Sequence, residues 1–234
     1  VFNDTELQTI INNLKYKSNK DNTFNVMILL DIVTGLRSGE LRGLKKKFIN
    51  ENIVKVRNTL KRIKVFDSPT KYHYETKLIR PKSKASIRTI NVPSNFYLIL
   101  EQYLQEQELK WKENGLKFND NSLIFTTKNC KPIESSSFRK RWQRFLKKIN
   151  VEYKKFHSIR DTYATKLIRL GANITTVKEL LGHSSIKITE KYYVFVFPED
   201  KSKTANLLNS LISPKKQKII NNKKTSKTNG VKMR

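Results

Sequence analysis

The sequence is short of the residues that stabilise secreted and membrane proteins. One cysteine, Cys130, stands in a polar TTKNCKP stretch. No disulfide can form within the chain, and no cysteine-rich metal site is present; the thiol reads as buried or incidental. No apolar run approaches the ~20 residues that span a bilayer, and VMILL at 26–30 is stopped by Asp31. No secretory signal opens the chain. These absences predict a reducing, cytoplasmic setting and no membrane partner. Acids are also scarce, with 20 Asp+Glu against 48 Lys+Arg and a formal net charge of +28. That excess exceeds what solubility needs and concentrates polyanions, nucleic acid first among them; a generic basic protein is the plainer alternative. There is no internal repeat. The chain begins with Val rather than Met, which suggests a piece of something longer.

What is present is organised in periodic segments, enough for one large domain or two small ones. Residues 3–17 read as a capped helix, with Asn3 or Asp4 ahead of Leu7, Ile10, Ile11 and Leu14. Thr23 to Thr34 is largely apolar and reads as a buried helix ended by Gly35. TGLRSGELRGL then makes a tight connection into a short helix opened by Ser38, with Arg37 at the turn. Three β-like runs, 53–60, 72–79 and 87–92, predict a small antiparallel sheet whose last turn, PKSKAS, carries Lys82 and Lys84. Asn95 to Asn114 reads as an amphipathic helix and SLIFTT (122–127) as a short strand.

A basic helix follows from Ser135 to about Ile149. Phe138, Trp142, Phe145 and Ile149 make its apolar face, and Arg139, Arg141 and Arg144 are among the cations on the rest. Solvated faces usually mix signs; this one does not, which points to phosphate contact. Beyond VFVFPED a helix is expected at about 200–212, carrying Leu207, Leu208, Leu211 and Ile212. From Pro214 onward the chain is rich in Lys, Asn and Thr without one acid, and it cannot bury a core.

The most informative stretch is 157–194, HSIRDTYATKLIRLGANITTVKELLGHSSIKITEKYYV. His157 and Arg160 are three apart and share one helical face. Gly171 and Gly182 end successive helices, and Ser184 and Ser185 can cap a third that presents Tyr192 and Tyr193. Read singly, His157 and His183 would pass for capping histidines, Tyr192 for a core aromatic and the turn lysines for solvated side chains. Yet the chain has three histidines, and two of them fall here. A cation, two imidazoles and a phenol around helix ends can hold a phosphate and attack it.

In order along the chain, TGLRSGELRGL (34–44), PKSKASIRTINVP (81–93), HSIRDTYAT (157–165), LLGHSS (180–185) and TEKYY (189–193) resemble the motif set of the tyrosine recombinases, the phage-type integrases. The resemblance implies an α+β fold, a mostly helical catalytic domain of the DNA breaking-rejoining type with a small three-stranded antiparallel sheet at one edge. It implies Arg37 and Arg160 as the arginines that bind phosphate, and Lys82 as the hairpin lysine, with Lys84 as its competitor. His157 and His183 would be the two histidine positions, Tyr192 the nucleophile, and Glu40 the acid that holds the arginines. The family interval from the Gly-His histidine to the tyrosine selects Tyr192 over Tyr193. Asp161 departs from the commoner histidine after the second arginine.

On this likeness residues 1–198 are the catalytic domain. Residues 199–212 are a C-terminal helix able to dock in trans, and 213–234 a basic mobile tail; core-binding and arm-binding domains are missing. The implied activity is site-specific recombination of double-stranded DNA for a mobile element through a 3′-phosphotyrosine link, without metal, ATP or other cofactor. The implied assembly is a homo-tetramer on synapsed DNA and a monomer in isolation. A type IB topoisomerase and a non-catalytic DNA-binding module are the competing readings. The His183 to Tyr192 interval opposes the first, and the intact set of six residues opposes the second.

Overall fold

The computed structural model describes residues 1–16, 21–81 and 83–194, with residues 193 and 194 described by their backbone alone. The chain divides into two units, Val1–Phe197 and Pro198–Arg234, and the described residues all belong to the first. The helix expected at 199–212, the tail at 213–234 and Lys82 lie outside the described residues.

The chain opens with α1 (Asp4–Asn13), where Asn3 and Glu6 form a reciprocal capping box with both hydrogen bonds at 2.8 Å. Next comes α2 (Thr23–Thr34), the largely apolar helix, which is buried along most of its length. Gly35 ends it in the left-handed region, at φ 58°. A Cβ there would lie 2.4 Å from Cδ1 of Tyr163. Glycine therefore serves twice, in ending the helix and in letting Tyr163 close on that end. The short α3 (Ser38–Arg42) follows at once.

The strands form two sheets, not one. In the first, β1 (Ile49–Asn50), β2 (Ile53–Val56) and β5 (Arg88–Asn91) pair antiparallel in the order β1-β2-β5. In the second, β3 (Thr59–Phe66) and β4 (Tyr72–Ile79) pair with each other alone, from Thr59 opposite Ile79 to Phe66 opposite Tyr72. The expected run at 53–60 thus breaks at Arg57–Asn58, and its second half opens a separate ribbon that takes the 72–79 strand with it. Near the tip, Phe66, Tyr72 and Tyr74 are exposed, with Arg62 and Lys64 over their rings. At the base, the Arg42 guanidinium donates to the Leu60 carbonyl, and Gly43 leaves room for the Leu60 amide.

The remaining elements are α4 (Ser94–Glu113), α5 (Ser135–Lys148), α6 (Ser158–Arg169), α7 (Ile174–Leu181) and α8 (Lys187–Val194). The strand expected at 122–127 is absent. Two isolated bridges, Lys45 to Leu123 and Thr126 to Pro132, pin that segment, while Ile124 and Phe125 sink into the core. On α5 the deeply buried line is Phe138, Trp142 and Leu146, with Phe145 and Ile149 at its margin. One core joins α1, α2, α4, α5 and the first sheet. A second, smaller cluster of Ala164, Ile168, Val177, Leu181 and Tyr192 holds α6, α7 and α8 together.

Gly35→Ala puts a Cβ into both the left-handed backbone and the Tyr163 ring. The left-handed conformation costs about 1–2 kcal/mol for an L-residue, and the overpacking about 1–3 kcal/mol. Urea unfolding followed by circular dichroism is expected to show a loss of at least about 1 kcal/mol.

Candidate active site

The site is built on the end of α7. The Glu179 and Lys178 carbonyls accept the amides of Gly182 and His183, and Gly182 caps the helix at φ 65°. The next three carbonyls have no helical amide to accept and carry the partial negative charge of a helix C-terminus. Each takes a guanidinium from a different element. Leu180 accepts from Arg88 Nε at 2.5 Å, Leu181 from Arg160 Nη2, and Gly182 from Arg37 Nη2 at 3.1 Å. Arg160 also donates through Nη1 to the Gly35 carbonyl at 2.6 Å, tying α6 to the end of α2. A Cβ on Gly182 would meet the Ala85 carbonyl at 2.8 Å and Arg88 Nη1 at 3.0 Å. The turn that carries Lys84 therefore abuts this helix end.

Glu40 binds two of the three arginines. Its Oε1 lies 2.9 Å from Arg37 Nη1 and its Oε2 2.9 Å from Arg88 Nη2, and Oε2 also accepts the Arg37 amide at 3.0 Å. Burial alone would raise the Glu40 pKa. The hydrogen bond and charge of Arg88, and then those of Arg37, outweigh burial and hold the carboxyl below its usual range. Arg160 is fully buried; burial, then Arg37 and Arg88, push its pKa down to about 10, which leaves it charged at neutral pH.

His183 follows the capping glycine. Its Nδ1 lies 2.9 Å from Thr189 Oγ1, and its ring runs nearly parallel to that of Tyr192, 6.4 Å away. Burial, then Arg160 and Arg37, push the His183 pKa from 6.5 to about 4, so the imidazole is neutral at pH 7. Tyr192 is buried in the small α6–α8 cluster, and its hydroxyl donates to Asp161 Oδ1 at 2.6 Å. Burial and then the Asp161 hydrogen bond raise its pKa. His157, at the N-terminus of α6 and half exposed, places Nε2 3.6 Å from the same Oδ1. Burial lowers the His157 pKa, Asp161 opposes the fall, and Arg160 adds to it.

The structure thus joins Arg37, Glu40, His157, Arg160, His183 and Tyr192 in one connected cluster. Lys82 lies outside the described residues, and Lys84 is exposed in the adjoining turn (Lys84–Ser86). Arg139, Arg141 and Arg144 are exposed on α5 and bond to nothing in the cluster among the described residues. Arg141 instead covers the Phe24 ring and reaches Asp21 at 3.5 Å, and Arg144 donates to the Lys140 carbonyl at 3.4 Å. Two members were not foreseen from sequence. Arg88 was signalled by its inward register in β5, beside Ile90. Asp161 was signalled by its place four residues after His157, on the same helical face. Among the described residues no group of three or more His, Cys, Asp or Glu side chains is placed to hold a metal ion, and no helix is long and apolar enough to cross a membrane.

A family model described as "Phage integrase family" matches residues 1–199. The chain belongs to that family. Among its relatives, the chain is 37% identical over 215 residues to a "Tyrosine recombinase XerC-like" protein of Caldanaerobacter subterraneus subsp. tengcongensis, covering 90% of the chain and 54% of that protein. It is 28% identical over 189 residues to the ICEBs1 integrase of Bacillus subtilis, covering 81% and 49%. The chain thus spans about half the length of these curated relatives. Among solved structures, the Tn1549 transposon integrase in complex with a circular intermediate DNA matches with a TM-score of 0.66 at 19% identity, over 88% of this chain and 65% of that one. The XerA recombinase matches with a TM-score of 0.60 at 19% identity, over 91% and 63%. At these identities the structural likeness shows the fold, the mostly helical α+β architecture with its small antiparallel sheet.

The depressed His183 has a signed consequence. Between about pH 4 and 6.5 the unfolded imidazole binds a proton that the folded one refuses, so His183 makes stability rise with pH across that window. His183→Gln is expected to flatten this part of the curve of unfolding free energy against pH, measured by urea titration at several pH values.

Proposed function

We propose that this chain is the strand-cleaving and rejoining part of a site-specific recombinase of a mobile element, acting on double-stranded DNA through a 3′-phosphotyrosine intermediate. The observation that supports this most directly is the arrangement at the end of α7, where Arg37 and Arg160 bond adjacent carbonyls and the ring of Tyr192 lies beside His183. A phosphodiester repels nucleophiles, and its pentavalent transition state carries more negative charge still. Guanidiniums supply charge that does not titrate near neutrality and a fork that fits two non-bridging oxygens. In this reading Arg37 and Arg160 bind those oxygens, Glu40 and Arg88 hold the guanidiniums in place, and neutral His183 hydrogen-bonds the phosphate or orients the tyrosine. Tyr192 attacks phosphorus with His157 nearby on the proton path. The departing 5′-oxygen takes its proton from the hairpin lysine, Lys82, with Lys84 as the alternative. The new ester conserves the bond energy, so a 5′-hydroxyl from a partner duplex can reverse the step without ATP.

The same reading places Arg139, Arg141 and Arg144 against DNA backbone. It also assigns the 199–212 segment to a neighbouring copy in a tetramer on synapsed DNA, with the isolated chain a monomer.

Two experiments test the proposal. Nicked suicide duplexes with a randomised core trap the covalent adduct, because the freed 5′ end diffuses away. Tyr192→Phe is expected to abolish the adduct while DNA affinity holds, since one hydroxyl is lost; Tyr193→Phe is expected to cleave. The reverse result moves the nucleophile to Tyr193, and no adduct from the wild type removes the strand-cleavage reading. Binding to plain duplex DNA is expected to fall by roughly 10³ between about 50 and 200 mM salt if six or more phosphates are contacted. Fluorescence anisotropy across that range reads the slope, and a shallow one removes the cationic surface from the interface.

A further inference from the structure

The hydroxyl of Tyr192 does not meet either histidine. It donates to Asp161 Oδ1 at 2.6 Å, and that same oxygen stands 3.6 Å from His157 Nε2. The carboxylate is therefore interposed between the phenol and the His157 imidazole. We propose that Asp161 is a catalytic residue, the immediate proton acceptor of Tyr192, with His157 behind it as the group that stabilises the acceptor's charge. The inference rests on the strand-cleavage reading above and assigns one of its steps.

The geometry meets the first requirement of a general base, which is contact with the proton it removes at about 2.6–3.2 Å. No hydrogen bond between His157 and Tyr192 is present among the described residues. The arrangement follows from the fold. Asp161 is the neighbour of Arg160 on α6, so while Arg160 points inward to the carbonyls of Gly35 and Leu181, the next side chain turns about 100° around the helix to meet the tyrosine on α8. The Asp161 amide donates to the His157 carbonyl at 3.2 Å, and the Thr165 hydroxyl donates to the Asp161 carbonyl at 2.9 Å, so the backbone that carries the carboxylate is held on both sides. The phenol also needs an acceptor in contact. Its burial and the adjoining carboxylate both favour the neutral form, and a neutral phenol is a poor nucleophile. Arg160 and Arg37 act in the opposite direction on the same group, favouring the phenolate as it develops.

The step balances within the groups named. The phenolic oxygen forms its bond to phosphorus as the bond from phosphorus to the 5′-oxygen breaks. The phenolic proton passes to Asp161 Oδ1, and the 5′-oxygen takes a proton from a separate donor, the hairpin lysine. In joining, the order runs backward. A 5′-hydroxyl attacks and gives its proton back to the hairpin lysine, phosphorus parts from the tyrosine, and the protonated Asp161 returns its proton to the departing phenolate. One carboxyl thus serves as base in cleavage and as acid in joining, with no net change.

The test compares the full chain with Asp161→Asn, Asp161→His and Asp161→Glu on two pools of nicked suicide duplexes with a randomised core. One pool is natural, and in the other the bridging 5′-oxygen is sulfur, which leaves without a proton. Single-turnover adduct formation at saturating protein is measured alongside DNA affinity and melting temperature. Asparagine preserves the shape and a carbonyl to accept the hydrogen bond but cannot keep the proton. Asp161→Asn is therefore expected to slow adduct formation by about 10²-fold or more on both pools, with DNA affinity unchanged. Histidine and glutamate, which can take the proton, are expected to recover most of the rate.

Asp161→Asn cleaving at the wild-type rate or faster overturns the proposal, because the contact is then a latch that restrains the tyrosine. Rescue of Asp161→Asn by the sulfur substrate overturns it too, because the defect then lies with the leaving group. If asparagine lowers the melting temperature enough to confuse its rate, the other two variants decide: cleavage by neither overturns the assignment. A wild-type chain that makes no adduct overturns the strand-cleavage reading itself, whereas a wild-type adduct with an undiminished Asp161→Asn overturns the assignment of Asp161 alone.

Discussion

Three consecutive carbonyl oxygens at the end of one short helix determine how the candidate site is assembled. Leu180, Leu181 and Gly182 receive Arg88 from β5, Arg160 from α6 and Arg37 from the turn before α3. Elements far apart in sequence are brought to the same few ångströms because each must satisfy a buried or half-buried guanidinium, and because the helix end has acceptors with no other use. The left-handed Gly182 makes this possible, since any side chain there would strike the Ala85 carbonyl. The same residue turns the chain so that His183 enters the cluster and α8 can return Tyr192 to it.

Gathering three cations in a poorly solvated space is unfavourable unless their charge is balanced. One acid, Glu40, does most of the balancing, with an oxygen on Arg37 and another on Arg88, while carbonyl dipoles serve Arg160. The balance is incomplete, and the surplus appears in the neighbours. It adds to burial, the larger cause, in keeping His183 neutral well below the usual range for an imidazole, and it favours ionisation of Tyr192 against the effect of burial. A residual positive potential at a site of this shape is what a phosphodiester would complete.

Much of this was legible in the sequence, and the parts that were not share a cause. The buried α2, its glycine stop and the short α3 follow from a largely apolar run, a Gly and a Ser, all local signals. The clustering of His157, Arg160, His183 and Tyr192 followed from helical spacing and two glycine stops. The ribbon was half missed because TLKRIKVF has no fully buried residue beyond Leu60, and the adjacent Lys61 and Arg62 interrupt the alternation that marks a strand against a core. SLIFTT was overread for the opposite reason. Its apolar residues are buried, but no neighbouring chain runs alongside for more than a single bridge. The carbonyl platform had no signature at all, because main-chain acceptors are the same at every residue. Arg88 went unseen among many basic residues, although its register with Ile90 marked it as inward-facing.

The placement of the β3–β4 ribbon bears on how such a chain can change over evolutionary time. Val56 and Arg88 are direct partners in the first sheet, so the ribbon is a detour between two positions that are already adjacent. Its root is fixed on α3 through Arg42 and Gly43, but among the described residues its outer rungs add nothing to the core cluster. Matched insertions or deletions of two residues in each strand would lengthen or shorten the detour while preserving which side chains face which way. An odd change in one strand would reverse them. A change of any length placed instead between Ile79 and Arg88 would act directly on the guanidinium that Glu40 and Leu180 hold. Within thirty residues of each other the molecule therefore has an arm whose length can change in steps of two and a connection whose length cannot change without moving a guanidinium of the cluster.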